Sequence, residues 1–289
     1  MNQVYGSSAI KRHRRGKAEI EAIHLAIHAV LEQDNPQSVR HVYYRLAGQF
    51  VDKTEAGYRT VQHQLLKLRE DGVVPWDWVS DGTRWRRQNQ SFDSKAQAVA
   101  YVAEIYRRDL WMRTPAYVEV WCESDSMAGV LIEETDRYNV PLMVSRGFSS
   151  RTFLYSSARA IGRQTRPAYL YYIGDWDPSG VLIPEKIEQA LREFAPESEI
   201  HFERIAITPD LIEAYDLPTK PAKRTTHAKY FRGGTVEAEA LPAHVTRELL
   251  RNAIERHLDP DEVRVMEVAE ESERQDLFNL ASQLYGEAQ

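Results

Sequence analysis

Three acidic residues follow apolar segments of the chain, and their types and spacing are those of a divalent-cation site. Glu123 follows the apolar segment Tyr117–Cys122, which is typical of a buried strand. Asp175 and Asp177 follow a second such segment, Ala168–Ile173. Alternate residues of an extended chain point the same way, so these two aspartates are expected to face together. Carboxylates with no histidine or cysteine cluster nearby favour Mg²⁺ or Mn²⁺, and such an ion would offset their repulsion.

The same acids have a plainer interpretation. Asp175 is the residue type that caps a helix, and the pair Asp177-Pro178 is typical of a turn. For an isolated Asp-x-Asp motif this structural interpretation is the better one. Because Glu123 stands at the matching end of another predicted strand, the metal-site interpretation is favoured here, and we predict that all three carboxylates are ligands.

A second feature with chemical potential is the segment 38–46, SVRHVYYRL, which is predicted to be an amphipathic helix. Tyr44 lies about 100° away from the inward face of this helix and one turn above Arg40, as an i, i+4 pair. A phenol has a pKa of about 10 and needs a base or nearby cations to act as a nucleophile, which Arg40 can supply. The alternative is that Tyr44 is a surface residue packed on the next helix. The predicted inward stripe consists of Val39, Val42, Tyr43 and Leu46.

The acids are positioned by an alternation of strands and helices after residue 115. Such alternation predicts an α/β fold with a mainly parallel sheet flanked by helices. Ligands of open parallel sheets bind beyond the carboxyl ends of the strands, where Glu123 and Asp175 stand. The predicted strands are Tyr117–Cys122, Leu142–Val144 and Ala168–Ile173.

The N-terminal part of the chain has the order of elements of a winged helix, a variant of the helix-turn-helix DNA-binding design. Three helices are predicted over 17–32, 39–48 and 55–70, followed by a hairpin of strands 73–79 and 83–87 around Asp81-Gly82. Winged helices also serve as protein-docking modules, so DNA contact is one of two interpretations. The basic residues offered to DNA are Arg59 and Lys67 on the third helix and Arg84, Arg86 and Arg87 on the wing.

These elements divide the chain into a basic arm (1–16), a winged-helix domain (17–90), a connecting helix and linker (91–114) and a metal-binding domain with an acidic C-terminal segment (115–289). Residues 1–114 carry 18 lysines and arginines against 13 acids, whereas the net charge of the whole chain is −6. A basic front and an acidic back indicate an anionic partner at the front, although ordinary solvated charge explains the asymmetry equally well.

Composition sets the class of protein. The chain has 289 residues, of which 43% are hydrophobic and 28% charged, which excludes disordered and collagen-like classes. Its single cysteine, Cys122, excludes an internal disulfide framework and an all-cysteine metal site. Apolar runs fall far short of the roughly 20 residues that span a membrane, and no secretory signal is evident. We therefore expect a soluble cytoplasmic protein.

The acidic motifs resemble a known fold. A glutamate after a first strand and GDWDPSG after a later one resemble the Toprim domain of topoisomerases, primases and some nucleases. The form GDWDPSG is similar to that of the A-type subunit of topoisomerase VI and the related meiotic double-strand-break transesterase. TVEAEALP (235–242) resembles the family segment K-x-E-(I/L)-x-A-L, with Thr235 replacing lysine, and implies Glu237 as a further metal ligand. Segment 217–231 resembles the substrate-side loop, which implies phosphate contacts from Lys220, Lys223, Arg224 and Lys229.

The resemblance implies an activity. Tyr44 would attack a DNA phosphorus, forming a 5′-phosphotyrosyl bond and releasing a 3′ hydroxyl, with Mg²⁺ held by the acids. Each protomer has one tyrosine and each duplex two strands, which implies a homodimer in which the tyrosine of one protomer works beside the metals of the other. ATP-driven strand passage would need a separate B-type ATPase partner. Two alternatives remain open: a Toprim endonuclease of the plasmid-restricting defence type that uses metal-activated water, and a non-catalytic winged-helix DNA-binding protein.

Overall fold

The N-terminal helices form as the hydrophobic periodicity predicts. The computed structural model describes residues 15–80, 89–222 and 231–286. Within them the first helices are α1 (Lys17–Gln33), α2 (Val39–Leu46) and α3 (Glu55–Glu70). The Ser38 side chain begins α2 by accepting a hydrogen bond from the His41 amide, and the Thr54 side chain begins α3 by accepting one from the Gly57 amide.

The inward face of α2 differs from the prediction at one position. Tyr43 is 5% exposed, which confirms it as a core residue, but Val39 is only partly buried. His41 is buried instead, and its Nδ1 lies 2.9 Å from the Ser38 hydroxyl. Burial, together with the charges of Arg247 and Arg45, lowers the pKa of His41 to about 3. A neutral imidazole therefore packs in this small helical core.

The predicted strand 73–79 is wrong. Trp76–Trp78 forms a 3-10 turn, and Val79 makes only an isolated parallel bridge to Gln37. Pro75 has no amide hydrogen to donate to a sheet. The Arg69 guanidinium lies 4.2 Å from the Trp76 ring centroid and also donates to the Trp76 carbonyl, so the chain turns back onto α3.

The predicted turn Asp81-Gly82 and strand 83–87 lie outside the described residues. The structure therefore shows a three-helix unit at the N-terminus without confirming a winged helix.

The predicted parallel sheet is confirmed and has one more strand. β1 (Tyr117–Cys122), β2 (Leu142–Val144), β3 (Ala168–Ile173) and β4 (Ile200–Ala206) run parallel in the order β2-β1-β3-β4. β1 and β3 are apolar almost throughout because both faces of the sheet are covered. The connecting helices are α5 (Asp125–Arg137), α6 (Arg151–Ile161) and α7 (Pro178–Phe194).

The remaining elements lie outside the four-stranded sheet. α4 (Lys95–Ile105) packs against the long C-terminal helix α10 (Pro260–Gly286). Within the described residues no helix is both long enough and apolar enough to cross a membrane. The other elements are α8 (Pro209–Ala214), the antiparallel pair β5 (Lys220–Pro221) and β6 (Gly234–Thr235), and α9 (Ala243–Glu255).

A buried ion pair joins the helical unit to the sheet unit. Asp34, directly after α1, pairs with Arg247 of α9, and the two side chains are 13% and 10% exposed. Arg247 also donates to the Pro36 carbonyl, and the His244 amide donates to Asp34. α2 in turn packs on the 3-10 turn Ala238–Ala240. These contacts hold Tyr44 of α2 near the carboxyl edge of the sheet.

Candidate functional site

Strand pairing places Glu123 beside the loop that follows β3. Cys122 at the end of β1 pairs with Ile173 at the end of β3, so the next residues of both strands are neighbours. The Asp175 amide donates to Glu123 Oε2 over 3.2 Å, and the Tyr172 hydroxyl lies 3.4 Å from the same oxygen. The structure thus brings Glu123 and Asp175 together at the edge expected from the sequence.

The two carboxyl groups share an unfavourable environment for negative charge. Burial, followed by the charge of Glu123, raises the pKa of Asp175 to about 7, although the Ala238 amide donates to its Oδ1 over 2.8 Å. Burial also raises the pKa of Glu123, and the charge of Asp177 adds to this. A proton or a cation at this position would relieve the repulsion.

Asp177 has a structural role that the metal-site prediction did not give it. Its Oδ1 accepts hydrogen bonds from the amides of Ser179 (2.8 Å) and Gly180 (2.6 Å), so it is the N-cap of α7. A carboxylate at a helix N-terminus is stabilised by these amides and by the helix dipole. The plainer interpretation expected the helix cap at Asp175, but the cap is Asp177. The Asp175 carboxylate instead accepts a hydrogen bond from the Ala238 amide.

A third buried acid at the edge is Glu239, which the sequence analysis missed. Glu239 is 5% exposed and accepts a hydrogen bond from the Ser126 hydroxyl. It lines a cavity of about 690 Å³ together with Glu123 and Asp175; we call this the acidic cavity. The available signal was a second glutamate two residues after Glu237 in the segment TVEAEALP.

The acidic cavity contains oxygen donors of the kind that bind hard cations, but these donors are not arranged around a common point. Its oxygen donors include the carboxylates of Glu123, Asp175 and Glu239 and the hydroxyls of Ser124 and Ser126. Asp125 and the three arginines Arg40, Arg69 and Arg146 also line it. Oxygen donors of this kind suit Mg²⁺. Over residues 15–80, 89–222 and 231–286, however, no group of three or more histidine, cysteine, aspartate or glutamate side chains is arranged to hold a metal ion. The metal therefore stays a prediction.

Tyr44 lies in a second group of charged side chains, here called the tyrosine cluster: Tyr44, Arg40, Lys220 and Glu237. Lys220 Nζ donates to the Tyr44 hydroxyl over 3.0 Å. Lys220 Nζ also pairs with Glu237 Oε1 over 2.9 Å, and Arg40 Nη1 pairs with Glu237 Oε2 over 2.9 Å. Glu237, which the resemblance implied as a metal ligand, is thus engaged by two cations.

These contacts set the charge states of the tyrosine cluster. Burial, followed by the charge of Glu237 and a hydrogen bond to it, raises the pKa of Tyr44 well above its usual range. Burial would also raise the pKa of Glu237, but hydrogen bonding by Lys220 and the charge of Arg40 bring it below its ordinary value. The cluster therefore contains a neutral phenol beside an ionised carboxylate.

The acids and the tyrosine belong to one continuous region of a single chain. A cavity of about 320 Å³ is lined by Tyr44, Lys220, Asp175 and Asp177, and Arg40 lines both this cavity and the acidic cavity. The resemblance implied that the tyrosine of one protomer works beside the metals of another. In this structure Tyr44 lies beside the acids of its own chain.

The loop that carries Asp175 is held by Arg204, a residue of β4 that the sequence analysis did not single out. Arg204 Nη1 donates to the carbonyls of Gly174 (2.9 Å) and Ile207 (3.1 Å), and Nη2 donates to the Gly180 carbonyl (2.5 Å). Its guanidinium also lies 5.0 Å from the Tyr172 ring centroid. One side chain therefore fixes both ends of the motif GDWDPSG, which positions Asp175.

The predicted DNA-binding residues have different outcomes. Arg59 is exposed on α3 and pairs with Glu55 over 3.3 Å, and Lys67 is exposed on the same helix. Lys220 belongs to the tyrosine cluster. The others lie outside the described residues: Arg84, Arg86, Arg87, Lys223, Arg224 and Lys229.

Comparison with known proteins assigns no family to the chain. No protein-family model matches its sequence. No curated protein matches it significantly either. The interpretation of the site therefore depends on its own geometry.

Proposed function

We propose that the chain is a Mg²⁺-dependent DNA-cleaving transesterase with Tyr44 as the nucleophile, similar in chemistry to the A-type subunit of topoisomerase VI. The observation that carries this proposal is the common cavity lined by Tyr44, the cationic side chains of Arg40 and Lys220, and Asp175 and Asp177 of the sheet edge. A phenol, cations and carboxylates are the groups that in-line displacement at a phosphodiester requires.

Arg40, Lys220 and Tyr44 would have different roles in the reaction. Arg40 and Lys220 would hold the phosphate and stabilise negative charge on the phenolic oxygen, since Lys220 already donates to it. The phosphorus would form a bond to the Tyr44 oxygen and lose its bond to the 3′ oxygen. The phenol would lose a proton and the released 3′ oxygen would gain one. The DNA phosphodiester bond would be exchanged for a phosphotyrosyl ester and not hydrolysed, so that resealing needs no external energy.

We assign the divalent cation to Glu123, Asp175 and Glu239, which line one cavity. They would have to move closer together to surround it, since no three such side chains of the described residues are already arranged around a metal ion. The support for this assignment is their shared cavity and the raised pKa values of Glu123 and Asp175. A bound Mg²⁺ would offset charge on the phosphoryl and leaving oxygens. Asp177 would contribute by capping α7 and so ordering the loop 174–177 between β3 and that helix.

A second candidate is a Toprim-type endonuclease that uses water. The observation that favours it is the raised pKa of Tyr44, because burial and Glu237 both disfavour the phenolate in the free protein. In this interpretation Tyr44 would position Lys220 and would not react with DNA.

Plasmid cleavage separates the candidates. The purified protein is incubated with supercoiled plasmid and Mg²⁺ or Mn²⁺, then denatured with detergent, with and without protease, before electrophoresis. The transesterase predicts breaks with protein attached to the 5′ ends, at least about 100-fold fewer in Tyr44→Phe. Tyr43→Phe is the matched control, because Tyr43 is adjacent on α2 but buried in the helical core, where its hydroxyl donates to the Thr54 carbonyl over 3.3 Å.

The outcomes are distinct. Breaks without attached protein that persist in Tyr44→Phe would support the water-using nuclease and contradict the proposal. An intact plasmid that the protein nevertheless binds would favour the non-catalytic DNA-binding protein.

A further inference from the structure

Both cations of the tyrosine cluster are occupied by a single carboxylate in the free protein. We propose that Glu237 occupies the binding position of the scissile phosphodiester, and that a DNA phosphate displaces it from Arg40 and Lys220. The inference rests on the proposed function in one respect: it takes a DNA phosphodiester as the ligand of this position. It assigns Glu237 a role as an internal competitor of the substrate instead of a metal ligand.

The Glu237 carboxylate contacts two cations in the way that a phosphate group could contact them. Its two carboxylate oxygens are each paired with a different cation, Oε1 with Lys220 and Oε2 with Arg40, both over 2.9 Å. The two non-bridging oxygens of a phosphodiester offer the same pair of acceptors. Because Lys220 Nζ also lies 3.0 Å from the Tyr44 hydroxyl, an anion in this position would lie next to the proposed nucleophile.

Exposure makes this carboxylate replaceable. The side chains of Arg40, Lys220 and Glu237 are 45%, 49% and 31% exposed, so solvent and incoming phosphate reach their ion pairs. Pairs of this kind are individually weak. The contrast is the pair Asp34–Arg247, whose buried members join the two units of the fold.

Glu237 and Glu239 face different groups of residues. The next turn, Ala238–Ala240, directs Glu239 into the acidic cavity, whereas Glu237 faces α2. Residues two apart in a 3-10 turn of three residues per turn point in different directions. The two glutamates of TVEAEALP therefore serve different partners, and only Glu239 adds to the acidic cavity.

The test is DNA binding without metal. Affinity for a fluorescent 20-base-pair duplex is measured by anisotropy in EDTA at fixed ionic strength, so that neither cleavage nor a cation contributes. Glu237→Gln is expected to bind about five- to tenfold more tightly than the wild type, since the two exposed ion pairs no longer compete with phosphate. Lys220→Ala added to Glu237→Gln is expected to abolish most of that gain.

Glu203→Gln is the matched control. Glu203 is also an exposed glutamate paired with an arginine, Arg256, over 3.1 Å, but on β4 away from the tyrosine cluster. The substitution makes the same change in net charge, so it measures the general electrostatic effect, expected to be within about twofold. Glu237→Asp, which is too short to reach both cations, replaces Glu237→Gln if thermal unfolding shows that the latter is not folded.

The results separate this inference from the proposed function. A gain in Glu237→Gln no larger than in Glu203→Gln, or a gain that survives Lys220→Ala, would overturn the competitor role, whatever the plasmid assay shows. A specific gain in a protein that leaves plasmid intact would support the phosphate position while contradicting the transesterase.

Discussion

The raised pKa of Asp175 predicts that removing its charge stabilises the metal-free protein at high pH. Between pH 4 and 7 the folded state keeps a proton on Asp175 that the unfolded chain has released. A group whose pKa is raised on folding contributes stability at low pH and loses it as pH rises through the folded-state value. Asp175→Asn keeps the acceptor for the Ala238 amide but cannot ionise.

The size of the effect follows from the two pKa values. The difference between the ordinary value of 3.8 and the folded value of about 7 corresponds to about 4 kcal/mol of unfolding free energy. We therefore expect Asp175→Asn to unfold with a free energy up to about 4 kcal/mol above the wild type at pH 8. At pH 4 the two proteins are expected to be nearly equal.

Urea denaturation in EDTA at several pH values measures this difference. Asp177→Asn is the control: it makes the same chemical change two residues away, and asparagine is as good an N-cap as aspartate. Its effect at pH 8 is expected to be smaller than that of Asp175→Asn. The reasoning would be refuted if Asp175→Asn were destabilised at pH 8, or if its difference from the wild type were the same at every pH.

Two further predictions concern the acids and the arrangement of the site. Mg²⁺ at about 100 times its dissociation constant is expected to raise the unfolding free energy of the wild type by about 2.7 kcal/mol. Glu239→Gln should lose most of this stabilisation and Glu237→Gln should keep it; equal losses in thermal unfolding would contradict the assignment of the two glutamates. Because Tyr44 and Asp175 line one cavity of the same chain, a mixture of Tyr44→Phe and Asp175→Asn proteins is expected to cleave plasmid no better than either alone. Restored cleavage would place the tyrosine of one protomer beside the acids of another.

The fold was predictable where the burial of an element gave its residues a clear hydrophobic pattern. β1 and β3 are buried on both faces, so each appears as a continuous apolar run with clear ends. β4 has the pattern IHFERIA, in which exposed His201 and Glu203 alternate with more buried neighbours, as suits the edge of a sheet. Because of these polar residues, β4 was not predicted from the sequence. The strand predicted before Asp81 failed because Pro75 and the contact between Arg69 and Trp76 favour a turn.

The site was predictable only as far as strand ends determine it. Glu123 and Asp175 meet because parallel strands end at one edge, which spacing alone indicates. The different directions of Glu237 and Glu239 depend on a 3-10 turn that residue types do not specify. Arg204 was missed because its partners in the motif GDWDPSG are backbone carbonyls about 25 to 30 positions earlier in the chain, which leave no side-chain pattern in the sequence.

The short turn Ala238–Ala240 connects the tyrosine cluster to the acids of the acidic cavity. Its first amide donates to Asp175, its buried glutamate faces the acids, and the residue before it, Glu237, pairs with Arg40 of α2. α2 packs directly on the same turn. Lengthening or shortening the backbone here would therefore displace both sets of charges at once, and three residues of main chain govern the spacing between Tyr44 and the acids.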